Sequence, residues 1–347
     1  MNGVKRTALL VLFLVPAAVA AADVRELISK GTALHDQGRY QEAIAVYREV
    51  LRQDPENEMA LYELTFSLFS AGSVEECIKT ADQGLKAGRQ FRAELYTTQA
   101  NCLDTAGETA KAVDVYQRGL SEFPKDPGLA FNLAVTQFRL GRLTEAKDLL
   151  KIAIAGRPNH ASAHGLLAKV YAAAGYNVPA LFAALRFVAF EPVGTRAKES
   201  ADLARKLLGL GVARDSEKAV TITIDSHAPT DEGDFSLEAM MLSMLAAVRF
   251  TEEGKKKSES EQLAEQINGL LAFLDEGGTK PEPTSFVKAR YAPFLAAVYR
   301  AGLAKPFAYH AFQSLGLEGG NEWTDAHKEE MERLKALLQR LNDSAAP

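Results

Sequence analysis

The sequence predicts an all-α fold, an α-solenoid of helix-turn-helix repeats followed by a mostly helical C-terminal domain with one short strand. Three observations predict it: a glycine that recurs at a nearly constant interval, an amphipathic segment on each side of it, and loss of this period in the second half. The intervals are 34, 35, 34 and 34 residues, a period typical of stacked helix pairs. The recurring glycines are Gly38, Gly72, Gly107, Gly141 and Gly175.

Before the repeats, residues 1–20 have the composition of an export signal. Lys5 and Arg6 precede an apolar run over residues 8–15, and small residues lead up to Ala20, after which we expect cleavage. The apolar run is too short for a permanent membrane span, and an uncleaved anchor is the alternative. We therefore expect an exported protein, either periplasmic in a bacterium or secreted.

Each of five predicted repeats over residues 23–192 consists of two amphipathic helices with the glycine between them. A small residue five positions after the glycine lets the helices approach closely: Ala43, Cys77, Ala112, Ala146 and Ala180. A proline seventeen positions after the glycine ends the second helix in four units: Pro55, Pro124, Pro158 and Pro192. The second unit has Arg89 instead, which predicts a weaker joint at that point.

This pattern resembles the tetratricopeptide repeat family over residues 24–192. The first unit carries the resemblance at Gly31, Leu34, Gly38, Tyr40, Ala43, Tyr47 and Pro55. The fourth unit carries it at Leu133, Ala134, Gly141, Ala146 and Pro158. The resemblance implies a right-handed solenoid in which the first helix of each repeat lines a concave groove that binds a protein or peptide.

The resemblance also implies which side chains line this groove, at the second, fifth, ninth and twelfth positions of the repeat. The candidate partner-binding residues are Tyr62, Phe66, Phe69, Asn101, Asp104, Phe131, Phe138 and Lys169. Family members that bind a C-terminal carboxylate use Lys, Arg and Asn where this chain has Ile28, Thr32 and aromatic residues. We therefore expect an apolar or amphipathic segment in the groove. Two alternatives are that the aromatic rings only pack between layers, and that the chain's own C-terminal half fills the groove.

Cys77 and Cys102 are the two cysteines of the chain, and the predicted repeats place them in adjacent layers. One interpretation is a pair of buried thiols that pack as small apolar side chains. The other is a disulfide between the second and third units, which an oxidising compartment permits if the geometry allows it. The sequence leaves both open.

The period ends after Pro192, and residues 193–347 are expected to form the C-terminal helical domain. Residues 196–211 predict a helix that covers the end of the solenoid. The β-branched run over residues 219–224 predicts a strand, and an exposed strand would make self-assembly an alternative role. A polar loop then leads to further helices over residues 236–250, 258–275, 284–302, 304–315 and 324–341.

The sequence carries no recognisable catalytic motif: no phosphate loop, no G-x-S-x-G, no H-E-x-x-H and no C-x-x-C. His160 and His164 are four residues apart without an evident third metal ligand, and His227 lies in the polar loop. The net charge is −5, or −7 without Lys5 and Arg6, which argues against nucleic-acid binding. We therefore expect no catalytic residue, no cofactor and no metal site.

These observations together predict a non-catalytic exported scaffold that binds a protein or peptide through the groove of its repeats. The alternative is an enzyme or ligand-binding domain in residues 193–347, with the repeats as its targeting arm. The sequence does not predict an integral membrane span beyond the signal segment, and it leaves the oligomeric state open.

Overall fold

The computed structural model describes residues 17–216, 219–223, 231–277 and 285–343. These residues are mostly helical and contain two short strands, so the predicted all-α fold class is confirmed. Most of the predicted signal segment, residues 1–16, lies outside the described residues, as do His227 and the last residue of the predicted strand, Ile224. The chain forms two compact units, Met1–Pro124 and Lys125–Pro347. The domain boundary expected after residue 192 lies inside the second unit and stays a prediction.

The first unit contains three helix pairs. Their helices are α1 (Ala17–Asp36), α2 (Tyr40–Gln53), α3 (Glu58–Ser70), α4 (Val74–Ala87), α5 (Arg92–Thr105) and α6 (Thr109–Glu122). Gly38, between α1 and α2, has a φ of 74°, which a residue with a Cβ adopts only at a cost. No heavy atom lies within 4 Å of where a Cβ would stand there, so backbone conformation, and not lack of space, requires the glycine.

Close helix contact in the first unit depends on the small residues that the repeat predicts. Ala43, Cys77 and Ala112 are fully buried at these positions. Cys77 on α4 forms a disulfide with Cys102 on α5, with their Cα atoms 6.5 Å apart. Of the two interpretations of the cysteines, the structure therefore has the disulfide, and it links the second repeat to the third.

The second repeat ends without a proline, and other contacts hold the chain there. The backbone N–H of Gln90 donates a hydrogen bond of 2.7 Å to the carboxylate of Glu58. This carboxylate lies so close to Gly88 that a Cβ on the glycine would be 1.8 Å from Glu58 Cδ. Phe91, the residue before α5, has a left-handed backbone with a φ of 53°. A side-chain anchor and an unusual backbone conformation thus replace the expected proline.

The second unit begins with two more helix pairs and a further helix. These are α7 (Pro127–Arg139), α8 (Leu143–Gly156), α9 (Ala161–Ala173), α10 (Asn177–Phe190) and α11 (Thr195–Leu208). All residues of α10 from Val178 to Ala189 are buried, since α9, α11 and the later helix α16 (Ala304–Phe312) pack around it. The predicted helix over 196–211 is therefore α11, which packs against the last pair.

The remaining elements of the second unit are two strands and six more helices beside α16. They are β1 (Val212–Ser216), β2 (Ala219–Ile222), α12 (Ser236–Ala247), α13 (Glu259–Asp275), α14 (Phe286–Arg290), α15 (Ala292–Arg300), α17 (Gly320–Ala326) and α18 (Lys328–Asp343). Single-turn 3-10 helices occur at Val248–Phe250, Gly254–Lys256 and Gln313–Leu315. The strands are antiparallel, with Val212 opposite Ile222.

The sequence predicts a different arrangement at three points in this region. It predicted one strand, because the segment over 212–216 contains few β-branched residues, whereas this segment pairs with β2. The helix expected over 284–302 is divided into α14 and α15, and Pro293 lies in the first turn of α15, where its missing N–H is tolerated. The helix expected to begin at Thr324 is also two helices, since Thr324 lies inside α17.

Candidate partner-binding faces

In the first unit, α1, α3 and α5 bring together a mixed aromatic and acidic surface, which we call the first-unit face. Its residues are Thr32, His35, Asp36, Met59, Tyr62, Glu63, Phe66, Phe91 and Glu94. Phe66 is 39% exposed, and its ring stacks on His35 with the centroids 4.7 Å apart. Tyr62 stacks on Phe91 at 4.9 Å. Both predicted aromatic residues thus have one ring face packed.

His35 is held in place from a second side. Its Nδ1 is 2.8 Å from the hydroxyl of Ser67, and its ring also meets Tyr40 edge-on. Burial lowers the pKa of His35, and the charge of Asp36 opposes this only in part. His35 is therefore neutral at pH 7 and serves as a fixed platform for Phe66.

Three of the other predicted groove residues make contacts within the first unit. Phe69 is partly buried and packs against the core cluster that contains Tyr47. Asn101 Oδ1 accepts a hydrogen bond of 2.5 Å from the hydroxyl of Tyr116, and Asp104 accepts one of 2.9 Å from Thr109. Each of these contacts connects the first helix of a repeat to the second helix of that repeat or to the core.

Carboxylates surround Tyr62 on the first-unit face. Burial raises the pKa of the Tyr62 phenol, and the charges of Glu63 and Glu94 raise it further. Burial also raises the pKa of the Glu63 carboxyl; a hydrogen bond from Tyr47 opposes this, and the charge of Asp36 adds to it. Three helices, each the first of its repeat, therefore carry carboxylates in the same region. Asp36 and Glu63 lie outside the repeat positions carried over from the family.

In the second unit, the predicted groove residues are Phe131 and Phe138 on α7 and Lys169 on α9. Phe131 meets the ring of His160 edge-on, with the centroids 4.5 Å apart. Phe138 is half-buried. Lys169 forms an ion pair of 2.6 Å with Glu199 on α11. The lysine predicted to contact a partner is thus paired with a carboxylate of this chain.

His164, considered above as a metal ligand with His160, uses both ring nitrogens in hydrogen bonds. Its Nε2 is 2.9 Å from the carbonyl oxygen of Pro158 and therefore donates, because a carbonyl only accepts. Nδ1 then accepts from the hydroxyl of Tyr291, also at 2.9 Å. Burial lowers the pKa of His164 to about 3. Within the described part of the chain, no three metal-ligating side chains lie together.

A buried ionic cluster on α8, absent from the sequence predictions, holds Asp231 and Glu232. Lys147 is 4% exposed, and its Nζ lies 2.5 Å from Asp231 and 3.1 Å from the hydroxyl of Tyr176. Glu232 accepts a hydrogen bond of 3.0 Å from Tyr171 and forms an ion pair with Lys151. Burial would lower the pKa of Lys147, but the bonds to Asp231 and Tyr176 raise it.

This ionic cluster has the character of a structural anchor. Ser285 donates a hydrogen bond of 2.5 Å to the backbone carbonyl of Glu232, so two distant segments meet on the same repeat. The Glu232 side chain is almost completely buried. The adjacent acidic residues at 231 and 232 could have indicated this cluster from the sequence, but a polar loop explains them equally well. No helix of the described residues has the length and apolar character needed to cross a bilayer.

Comparison with known families and proteins covers the repeats. Residues 34–102 and 105–175 match the family model of the tetratricopeptide repeat. A curated relative, the probable UDP-N-acetylglucosamine–peptide N-acetylglucosaminyltransferase SPINDLY of Hordeum vulgare, is 27% identical over 143 residues, 40% of this chain. The chain spans only 15% of the length of that relative.

Two solved structures are similar to part of this chain. PilF of Pseudomonas aeruginosa is 16% identical, with a TM-score of 0.48, and the match covers 55% of this chain and 84% of PilF. YrrB, described as a TPR protein with an unusual peptide-binding site, is 18% identical, with a TM-score of 0.36, and the match covers 55% of this chain and 92% of YrrB. The ranges that match the family model include Tyr62, Phe66, Asn101, Phe131 and Lys169.

Proposed function

Because residues 34–102 and 105–175 belong to the tetratricopeptide repeat family, we propose that this protein is a non-catalytic scaffold that binds a protein or peptide partner through the first helices of its repeats. The observation that carries the proposal is Phe66. This large aromatic residue is 39% exposed, whereas Tyr47 and Tyr116 in the same unit are almost completely buried. An exposed ring held by His35 on one side is suited to contact a partner on the other.

The partner segment that best suits these residues is amphipathic. Met59 and Phe66 offer exposed apolar surface, and Tyr62 adds a ring with a polar hydroxyl. Asp36 and Glu94 are exposed beside them. A partner segment with apolar side chains on one side and polar side chains on the other can bury the first set while the second contacts the carboxylates. The phenylalanines of α7 offer a second apolar contact in the second unit.

We also propose that the protein works outside the cytoplasm, in a periplasm or as a secreted protein. The basic pair and apolar run within residues 1–20 support this, as does the disulfide between Cys77 and Cys102, since disulfides persist mainly in oxidising compartments. Radiolabelled precursor should be shortened on export, and N-terminal sequencing of the mature protein should begin at Ala21. A mature protein that retains Lys5 and Arg6 would contradict the cleavage.

The partner-binding proposal predicts that Phe66→Ser and Phe138→Ser abolish capture of the partner and leave the helical content unchanged. The reason is that each change removes apolar contact area from the predicted groove and little from the hydrophobic core. Partners that co-purify with the natural chain are identified by mass spectrometry and then quantified with each variant, and circular dichroism reports helicity.

Leu140→Ser is the matched control, since Leu140 is a large apolar residue, 45% exposed, outside the predicted groove positions. It should leave capture unchanged. If the phenylalanine variants lose helical content together with capture, these rings belong to the core, and the proposal fails for them. Unchanged capture by both variants would also contradict it.

A further inference from the structure

We propose that the segment bound by the first-unit face is cationic, with Lys or Arg side chains adjacent to apolar ones. The inference rests on the proposed function and adds to it the charge of the partner. It depends on three features of the first-unit face: carboxylates gathered from three helices, the lack of a basic partner for them in this chain, and exposed apolar surface among them.

The carboxylates come from a different first helix each. Asp36 is the last residue of α1, Glu63 lies in α3 and Glu94 in the first turn of α5. Asp36 acts electrostatically on Glu63, and Glu63 and Glu94 both act on Tyr62, so the three charges share one region. Like charges gathered in this way repel one another, and a bound cation would relieve the repulsion.

The three carboxylates lack a basic partner in the part of the chain that the structure describes. Among the described residues, no Lys or Arg forms an ion pair with Asp36, Glu63 or Glu94. Five acidic residues elsewhere in the unit do have such partners: Arg39–Glu42, Arg48–Glu76, Arg52–Glu49, Arg92–Glu122 and Lys111–Glu108. Basic side chains of this chain therefore pair with carboxylates outside the first-unit face and leave these three charges to an external group.

The apolar part of the face fits the stem of a basic side chain. Met59 and Phe66 are 37% and 39% exposed, and Tyr62 lies between them on α3. Lys and Arg side chains have apolar stems that cover such surface while their charged ends reach a carboxylate. A cation over the ring of Tyr62 or Phe66 gains a further attraction from the electrons of the ring.

His35 and Arg25 lie near the face, and neither takes the place of the cation. His35 is neutral at pH 7, because burial lowers its pKa. Arg25 lies beside Met59 in an open depression, and this depression also contains Asp54. The negative charge around Tyr62 is thus available to a partner.

The test uses the full chain and three fluorescent peptides of equal length: one alternates Lys with Leu, the second has Gln for every Lys, and the third has Glu for every Lys. Fluorescence anisotropy at low salt measures their affinities. We expect the Lys peptide to bind at least about tenfold more tightly than the Gln peptide, with the Glu peptide weakest. Added salt should weaken binding of the Lys peptide most.

The double variant Glu63→Gln with Glu94→Gln should lower affinity for the Lys peptide about tenfold and leave that for the Gln peptide unchanged. The matched control is Glu49→Gln with Glu76→Gln, which changes the net charge equally but removes carboxylates that are paired on α2 and α4. It should leave both affinities unchanged. Circular dichroism checks that both double variants are folded.

Three results would overturn the inference. If the Gln peptide binds as tightly as the Lys peptide and Phe66→Ser weakens both, the face binds a partner without preference for a cation, so the proposed function stands alone. If both double variants lower the affinity for the Lys peptide equally, binding depends on the net charge of the protein and not on this face. If none of the peptides binds, the cationic segment and the peptide form of the proposed function fail together.

Discussion

At the scale of single residues, Phe91 shows a conflict between backbone and side chain. Its left-handed backbone, with a φ of 53°, costs a residue with a Cβ about 1–2 kcal/mol. Its ring stacks on Tyr62 in an almost parallel arrangement, which contributes about 0.5–1.5 kcal/mol beyond the buried area. The two terms are of similar size, so the conformation is tolerated and places an aromatic ring at the edge of the first-unit face.

We predict that Phe91→Gly is more stable than Phe91→Ala by about 1 kcal/mol. Both variants lose the ring, but only glycine adopts this backbone conformation without strain. Urea denaturation of the two variants gives the difference in the free energy of unfolding. Equal stability, or a more stable alanine variant, would show that the left-handed conformation is not kept in solution.

The repeat pattern predicts which side of a helix a residue lies on better than it predicts the contacts of that residue. It placed Tyr62 and Phe66 on a common face with exposed surface, because the period fixes which side of a helix each position takes. It gave no information on the ion pair of Lys169, whose carboxylate partner Glu199 lies beyond the last regular repeat. It also missed Glu63, since a repeat position says nothing about the charges that surround it.

At the scale of helices and loops, the joint between the second and third repeats is secured by other means than a proline. Glu58 binds the backbone of Gln90, and the disulfide joins α4 to α5. The sequence analysis expected a weak joint because Arg89 stands in the place of the proline. That expectation considered only the local chain, whereas the two anchors bridge residues 25 and 32 positions apart.

Replacing both cysteines by alanine should lower the free energy of unfolding by about 3 kcal/mol, as expected for a cross-link that closes a loop of this length. Alanine keeps the small volume at this helix crossing, so the loss should come mainly from the cross-link. Thermal or urea denaturation with and without dithiothreitol measures it. The reductant should lower the midpoint of the natural chain and leave that of the double variant unchanged; a natural chain insensitive to dithiothreitol after complete reduction would contradict the prediction.

At the scale of the whole molecule, the periodic part of the chain was more predictable than the rest. Glycine, small residue and proline recur within about 20 residues, so helix ends and crossings follow from local sequence. The second unit also depends on contacts across long separations, such as the hydrogen bond between His164 and Tyr291, 127 residues apart. No period connects these residues, and their pairing therefore appears only in the structure.

The buried histidines of the second unit make the stability of the protein depend on pH. The pKa of His164 is lowered to about 3, from about 6.5 in an unfolded chain. As the pH falls from 6.5 toward 3, the unfolded state binds a proton that the folded state does not, so stability is lost over this range. The loss for this one group is at most about 1.4 kcal/mol per pH unit.

Denaturation of the natural chain and of His164→Gln at pH 7, 6 and 5 tests this dependence. Glutamine does not titrate, so the stability of the variant should fall less steeply between pH 7 and 5. His310 is also buried with a lowered pKa, and it contributes equally to both proteins, so the difference in slope isolates His164. Parallel curves would show that His164 is protonated in the folded protein or exposed to solvent.

The buried cluster around Lys147 has a consequence for synthesis of the chain. A ribosome completes α8 and α9 well before residues 231, 232 and 291, which supply the carboxylates and the phenol that these helices contact. During this interval Lys147 lacks its counter-charge, and the surface around His164 is open to water. The fourth and fifth repeats therefore cannot make these contacts until the chain has been synthesised as far as residue 291, although each helix pair is local in sequence.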